Sequence, residues 1–599
     1  MNPPINLNIY DAPEGGKWVA ARPSGYQSPE RFSTFKNCCA RADLAFSRTA
    51  QAQLGPVERL PRLMRLLRAA GFEIEANQPE YLREFFQHFA EVERHIQWLI
   101  QTEFPRIDGL LKERMAGHKL LPYQQTDIVR MVRDPVGINA NEQGLGKTLE
   151  GLCSIYPSRA PVLVVGPATA KGVWEDETHS LRPDMTVSIL DGVKSFRWPQ
   201  EGELCVISFA CLPAFIPEGC VRGTNLLIDE IHNTANPKTQ RATRMKQVIN
   251  HVYDACGRVW GLSGTPMDTG IHLWELAVLL GLEDTCFGEV PTCKNAWEGF
   301  IHLFGGELVK RYIPAMTTKD GRKIPARKMP QWTFNPHRVK PEGPVRLARM
   351  MFRNKKADVL KDLPPKRYQM IPVQLRELFK GTEAKEIRKM LDETYEATKN
   401  CPDDQLLEHI EKSPQFTRYS EFRRLLATAK TGFVMQMLDE LQAQGKPVVV
   451  FSVHMDPVLT IGARPGWGMV HGGVKDRQQV ARDFQSGRIH HGVVLTLAGK
   501  EALTLTRADL LIFVDRYWRW SDNAQVEDRV HRLTQTQPVV IQDIVLDHPL
   551  DKKVYLTLRR KQQMMQATLE AMAGLAKPDV VPELSWEDLN EVLNYPVLT

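Results

Sequence analysis

One short stretch constrains the fold of this chain more than any other. Asn141-Glu142-Gln143-Gly144-Leu145-Gly146-Lys147-Thr148 stands between a short apolar run (Val136, Ile138) and a helical pattern that begins near Leu149. This is the spacing of a phosphate-binding loop, G-x-x-x-x-G-K-[ST], with Asn141 where the pattern has its first glycine. Glycines let backbone N–H groups close on phosphates, and the helix N-terminus that follows adds a potential favourable to anions. In that arrangement Lys147 reaches the β- and γ-phosphates of ATP and the Thr148 hydroxyl ligates Mg²⁺. Short patterns of this kind also arise by chance, so the surrounding chain has to carry the rest of the argument.

A second element lies eighty-two residues beyond Lys147. The run Asn225-Leu-Leu-Ile-Asp-Glu-Ile-His232 is an apolar strand ending in two adjacent carboxylates. Open α/β sheets bind ligands at the C-terminal ends of their strands. Asp229 is placed to hold the metal ion, and Glu230 to orient and deprotonate an attacking water, because phosphoryl transfer depends on positioning and charge stabilisation. An exposed acidic turn is the alternative for this run alone. Lysine loop and acidic strand, in this order, together read as a nucleoside triphosphatase.

The strand-like runs PVLVVGP, LCVISFA, NLLIDE and RVWGLSGTP alternate with helical patterns over residues 118–283, and PVVVFS, GVVLTLA, DLLIFVD and PVVIQDIV do so over 431–555. Apolar strands of this type belong to parallel sheets covered on both faces. The expected fold is therefore α/β, with two parallel-sheet lobes. Residues 284–430 read as a helical, basic insertion. Residues 1–76 read as a small α+β or helical module, 77–117 as a helical linker and 556–599 as a C-terminal helix and acidic tail. In the first module Leu60, Leu63, Met64 and Leu67 follow helical spacing; Arg59, Arg62, Arg65 and Arg68 fall on the opposite side, as a solvated face or a nucleic-acid contact.

At 599 residues the chain exceeds one core, and the ordinary 43% hydrophobic and 25% charged composition fits a multi-domain globular protein. No apolar run reaches membrane-spanning length and the N-terminus lacks a signal pattern, so the sequence predicts a cytoplasmic protein with no membrane partner. Ten cysteines without a C-x-x-C pair favour neither a zinc module nor a disulfide framework. Net charge is +6, and it is unevenly spread: from Lys310 to Arg367 basic residues outnumber acidic ones about four to one. That density suits a phosphate backbone, or simply a solvated face.

LPYQ (Leu121–Gln124), NEQGLGKT, VLVVGPATAKGVWEDE, VISF, DEIHNTANPKTQR and LSGTP occur in the order and spacing of the Swi/Snf family of superfamily-two DNA translocases, which the chain resembles over about residues 118–560. That family usually has an acidic or polar residue at the position of Asn141. The segment MMFRNKKADVLKDLPPKR resembles the basic stretch leading into the family's second lobe. WRWSDNAQVEDRVHRLTQ resembles its last motif, and EDRVHR with Thr504 is most similar to the annealing-helicase branch. RLLRAAGFEIE resembles a HARP-type module.

The resemblance implies two RecA-like lobes and a working ATP site built from Gly144, Leu145, Gly146, Lys147 and Thr148, with Gln124 reading the adenine. It implies metal ligation by Thr148 and Asp229, catalysis by Lys147, Asp229 and Glu230, and arginine fingers at Arg529 and Arg532. Ser263, Thr265 and Gln525 would couple hydrolysis to movement, and Lys171, Ser208, His471, Thr496 and Thr504 would grip the DNA backbone. Two arginines three apart also suit a salt-bridged helix face, an alternative that Gln525 and Gln535 at family spacing oppose. Trp174 and Trp518 read as packing.

The implied function is ATP-dependent translocation on double-stranded or forked DNA, with any protein partner unknown. The alternatives are a strand-separating helicase subunit and a nucleotide-gated binding module. The chain departs from the family at Ala502 and Thr534, where glycine is usual, and at Trp518-Arg519-Trp520, where Trp-Asn-Pro is common. These departures suggest a divergent, prokaryotic or viral source and put second-lobe coupling and DNA contacts in doubt.

Overall fold

The computed structural model describes residues 3–573 except 12–16, 43, 48–49, 57–59, 61–62, 65–66, 68–69, 78, 115–118, 268, 289, 291, 314–315, 318–322, 325–326, 399–415, 475, 500–502 and 518. Ala502, Trp518, the four arginines Arg59, Arg62, Arg65 and Arg68, and the acidic tail lie outside the described residues. The chain divides into two compact units, one formed by Met1–Pro135 with Gly281–His302 and Ala576–Thr599, the other by Val136–Leu280 with Leu303–Leu575.

The first unit holds a five-stranded sheet of β1 (Ile5–Asp11), β2 (Lys17–Pro23), β3 (Ala45–Ser47), β4 (Ala52–Pro56) and β5 (Ile74–Asn77), in the order β3-β4-β2-β1-β5. Alternation fixes its buried face: Ile5, Leu7 and Ile9 of β1 join Val19 and Ala21 of β2 in one core. Phe35 and Cys39 of the helix Pro29–Arg41 close over them, with Leu60, Leu63, Met64 and Leu67, the apolar positions at helical spacing. Ser28 caps that helix by accepting from Arg31 N. A long helix, Pro79–Trp98, continues through a π turn into Phe104–Arg114.

The second unit contains two all-parallel sheets. The first comprises β6 (Val136–Asn139), β7 (Val162–Gly166), β8 (Thr186–Leu190), β9 (Glu203–Ser208), β10 (Asn225–Asp229) and β11 (Arg258–Leu262). Its seven-stranded order is β16-β6-β11-β10-β7-β9-β8, where the outermost strand, β16 (Met351–Phe352), comes from far downstream. Val162 to Val165 are all fully buried, as strands covered on both faces must be.

Between the sheets in sequence, β12 (Gly306–Ile313) and β15 (Arg327–Phe334) form an antiparallel ribbon, extended by the short pair β13 (Met316–Thr317) and β14 (Lys323–Ile324). β16 (Met351–Phe352) then pairs with β6. β17 (Lys366–Val373) joins the second sheet with β18 (Val448–Phe451), β19 (Trp467–Val470), β20 (Gly492–Leu495), β21 (Leu510–Phe513) and β22 (Val539–Leu546), in the order β17-β22-β21-β18-β20-β19. In β18 alternate residues enter different cores. Val449 and Phe451 pack with Phe484, Val526 and Val530, while Val448 and Val450 pack with Val434, Leu438 and Ile461.

The stretch 284–430 is thus less helical than its pattern suggests. It contains a ribbon and supplies an edge strand to each parallel sheet. The reason is physical: β16 is two residues long and β17 is mostly solvent-facing, so neither carries a buried-strand signal.

Candidate functional site

The phosphate loop leaves β6 and turns into the helix Lys147–Cys153. Gly144 and Gly146 have φ of +82° and +89°, backbone that residues with a Cβ adopt only with strain. Asn141 is fully buried and its amide is saturated. It donates to both Glu150 carboxylate oxygens (3.3 and 3.1 Å), of which Oε2 also accepts from Asn139, while its own oxygen accepts from Asn354 N (2.8 Å) and Nδ2 (2.9 Å). An asparagine in place of the usual glycine is therefore a structural tie across the loop. Lys147 Nζ lies against the carbonyls of Asn141 (2.8 Å) and Glu142 (3.2 Å). Burial pushes its ammonium down, and Glu230, Glu150 and Asp229 pull it back up.

Asp229 ends β10, and the indole of the fully buried Trp174 donates to its Oδ2 at 3.0 Å. Trp174 read as packing in the sequence; it also orients a carboxylate, a role that only the distance reveals. Glu230 follows with φ +51°, a left-handed backbone that a non-glycine residue holds at a cost. Ser263 donates to Glu230 Oε2 (3.3 Å), and the Ser263 oxygen pairs with His232 Nδ1 (2.9 Å). His232 also stands 3.2 Å from Glu230. Burial alone would raise the Glu230 carboxyl, but the hydrogen bond and charge of His232, backed by Lys147 and Arg529, hold it down to about 2. Glu230 is therefore an ionised carboxylate, oriented by His232 and Ser263. In the sequence His232 is marked only by its place two residues after Glu230. Ser263 further accepts from Thr265 N (3.2 Å), so the turn after β11 is keyed to the acidic pair. A Cβ on Gly264 would lie 2.3 Å from Gln143 Cγ; only glycine lets this turn close on the phosphate loop.

The helix Trp520–Val530 carries Gln525 and Arg529, with Arg532 just beyond its end. Arg529 donates to Gln525 O (2.9 Å), Leu503 O (3.3 Å) and, from across the two sheets, Gln143 Oε1 of the phosphate loop (3.2 Å). Arg532 donates to Thr504 Oγ1 (2.7 Å), and its Cγ lies 3.3 Å from where a Cβ on Gly144 would stand. The structure therefore brings Lys147, Glu230, Arg529 and Arg532 to one loop. Gln143 Nε2, Thr265 Oγ1 and Gln525 Oε1 are buried without a hydrogen-bond partner among the described residues. Unpaired buried polar atoms are costly, and a site that receives a polar ligand is where they are tolerated.

The remaining residues of EDRVHR have structural work. Glu527 is buried between Arg516 (2.9 Å), Lys366 (3.4 Å) and Tyr368 (2.9 Å); Val530 is core; His531 Nε2 donates to Pro364 O (2.7 Å). The Gln535 amide ties three carbonyls together. Thr534 has an ordinary φ and its hydroxyl pairs with Thr506 (2.8 Å), so this backbone does not require the family's glycine.

Of the expected DNA-gripping residues, Ser208 ends β9, His471 and Thr496 directly follow β19 and β20, and Lys171 opens the helix Lys171–Leu181 beyond β7. Lys171 is ion-paired with the exposed Asp191. The half-buried Thr504 follows the loop after β20, and its hydroxyl accepts from Arg532 at 2.7 Å. Gln124 belongs to the first unit, where its amide accepts from Leu121 N (3.0 Å) and caps the helix Pro122–Arg133.

The family model for the SNF2-related domain matches residues 92–417, more than half of the chain, and the Helicase conserved C-terminal domain matches 429–534. The chain belongs to the Swi/Snf family of ATPases. It is 24% identical over 512 residues to the human DNA annealing helicase and endonuclease ZRANB3, covering 82% of this chain and 44% of that protein. It is 24% identical over 494 residues to the SWI/SNF-related matrix-associated actin-dependent regulator of chromatin subfamily A-like protein 1 of Xenopus tropicalis, covering 80% and 47%. The ISWI chromatin-remodeling complex ATPase ISW1 of Saccharomyces cerevisiae is 24% identical over 502 residues, covering 76% and 41%.

The chain spans less than half the length of these three relatives. Among solved structures, the Sulfolobus solfataricus SWI2/SNF2 ATPase core in complex with dsDNA is similar at 17% identity and TM-score 0.32, covering 76% of this chain and 94% of that one. The expectation of a cytoplasmic protein of prokaryotic or viral source is overturned by the curated relatives. They come from human, frog and yeast, and their names place them with DNA annealing and chromatin. No helix among the described residues is long and apolar enough to cross a membrane.

Proposed function

We propose that this chain is an ATP-driven translocase on double-stranded DNA that remodels duplexes or forks, by annealing strands or displacing bound protein, without reading sequence. The observation that carries this is the meeting of two sheets at one phosphate loop: Arg529 of the second bonds Gln143 of the first. An arrangement in which hydrolysis needs both sheets is what a motor requires and a mere binding module does not. The similarity to an annealing helicase supports DNA as the partner.

In this reading Lys147 binds the β- and γ-phosphates within Gly144–Thr148. Glu230 directs the attacking water, Arg529 and Arg532 stabilise the charge that develops, and Ser263, Thr265 and Gln525 couple turnover to movement. Lys171, Ser208, His471 and Thr496 contact phosphates, which give affinity without sequence readout. Thr148 and Asp229 form an all-oxygen donor pair that fits Mg²⁺, and Trp174 fixes one Asp229 oxygen. When bound, the ion would neutralise negative charge on the triphosphate. The domain division that accompanies this reading is a HARP-like module to residue 76, a helical linker to 117, lobes at 118–283 and 431–555, the insertion between them, and a C-terminal segment from 556.

The test is steady-state ATP hydrolysis with no nucleic acid, single-stranded DNA, duplex DNA, forked DNA and RNA. Stimulation by duplex or forked DNA, abolished by Lys147→Ala, is the expected result. Stimulation by single strands or RNA alone would replace the translocase with a strand-tracking helicase, and no turnover with any of them would defeat the motor reading.

A further inference from the structure

We propose that residues 350–356 form a strap that sets the arginine helix against the phosphate loop, with Lys356 as its positioning residue. The proposal deepens the ATPase reading above and rests on it for its effect on turnover. Its geometry begins at the sheet edge. The carbonyls of Met350, Phe352 and Asn354 accept from Ile138 N (2.7 Å), Ala140 N (2.8 Å) and Glu142 N (3.1 Å), so strand pairing continues beyond β6 along the loop itself. Arg353 Nη1 donates to Ala140 O (2.6 Å) and to Gly264 O (2.9 Å), joining the loop to the turn that carries Ser263 and Thr265. Asn354 holds Asn141 from the same side.

Lys356 then joins the two halves of the site. Its backbone N–H donates to Glu142 Oε2 at 2.7 Å. Its ammonium crosses to the second sheet's helix, donating to Asp528 Oδ1 (2.9 Å) and His531 O (2.6 Å). These two partners immediately precede Arg529 and Arg532. A cation at the last carbonyls of a helix is well placed against its dipole. Lys356 Cε and Arg532 Cγ lie 3.5 and 3.3 Å from where a Cβ on Gly144 would stand, so both side chains rest on the loop glycine.

A lysine only 6% exposed is a poor device for stability, because the desolvation of a buried pair offsets its attraction. What the pair supplies is register. Asp528 also receives Lys366 Nζ from β17 at 2.8 Å. Removing Lys356 therefore leaves Asp528 with a cation from its own lobe and cuts only the link to the loop.

Lys356→Met is expected to lower kcat for ATP about tenfold or more while the KM for ATP changes by less than about twofold, because misplaced transition-state groups act on turnover rather than on ground-state binding. Lys356→Arg should restore much of the loss. Hydrogen exchange gives a second readout that does not need hydrolysis: amides of 528–535 should exchange about tenfold faster in Lys356→Met, with Val448–Phe451 unchanged. If Lys356→Met fails to fold, Asn354→Ala removes the strap's side-chain bond to Asn141 and should produce a smaller loss of kcat, again with KM little changed.

Unchanged kcat, a loss confined to KM, or an arginine variant no better than methionine would each overturn the strap. A wild-type protein without ATPase would defeat the functional reading, and the exchange measurement would still decide the strap. Faster exchange at 528–535 supports it and unchanged exchange refutes it.

Discussion

At the scale of single residues, function and structure share the same short motif, and His531 shows the structural share. Its Nε2 faces the Pro364 carbonyl, which can only accept, so Nε2 carries a proton. Burial pushes the imidazole down to about 4, and the cations Lys366 and Lys356 beside it push the same way, against the Pro364 bond and Asp528. The sign of the consequence follows from linkage. The folded pKa is depressed below the unfolded value near 6.5, so between the two the unfolded chain holds more protons and stability falls as pH falls. From neutral pH to pH 5 this one group should remove roughly 2 kcal/mol. Thermal unfolding midpoints should therefore drop less between pH 7.5 and pH 5 in His531→Asn than in the wild type. Equal drops would show that the ring is not held neutral.

At the scale of elements, the ribbon of β12 and β15 stands apart from both parallel sheets, paired only within itself among the described strands. Seven lysines and arginines and one aspartate lie between Lys310 and Lys328. Charges on an isolated ribbon blunt its edges against aggregation, and they also suit a phosphate backbone. The two roles separate by salt. If the ribbon contacts DNA, replacing Lys310, Arg311, Arg327 and Lys328 with glutamine should weaken duplex binding. It should also reduce the slope of log affinity against log salt by between about 1 and about 3.5. ATP hydrolysis without DNA should not change. An unaltered slope would leave the charges with the edge-blunting role alone.

Elements also mark how far the sequence could be read. The lobes were legible because their strands are apolar runs buried on both faces, and Lys147, Asp229 and Glu230 because each lies within a contiguous motif. β16, two residues in a basic stretch, and β17, solvent-facing along most of its length, had no such signal. Nor did the work of Asn141, Trp174, Lys356 and Thr504. Their partners lie 213, 55, 172 and 28 residues away, where no spacing rule reaches.

At the scale of the whole molecule, the question is whether turnover belongs to one lobe or to the pair. Binding and catalysis divide differently between the sheets. The loop, Lys147 and the acidic strand end all come from the first sheet, so on the proposed reading nucleotide binding rests mainly on the first. Arg529 and Arg532 come from the second and are held by protein groups: Arg529 by two carbonyls of its own lobe and Gln143, Arg532 by Thr504 and the carbonyl of Asp528. Groups fixed in advance stabilise developing charge without having to reorganise, which is why a finger of this kind is worth about 10³–10⁵ in rate. Arg532→Ala should therefore bind a fluorescent ATP analogue within about threefold of wild type and lose about 10³-fold or more in kcat with duplex DNA present. Arg529→Ala should lose turnover similarly and, having cut the bond to Gln143, should also weaken analogue binding. If Arg532→Ala keeps more than about a tenth of wild-type turnover, the second sheet does not supply the catalytic charge. Turnover would then belong to the first lobe alone, and ATP hydrolysis would have no means of driving one sheet against the other.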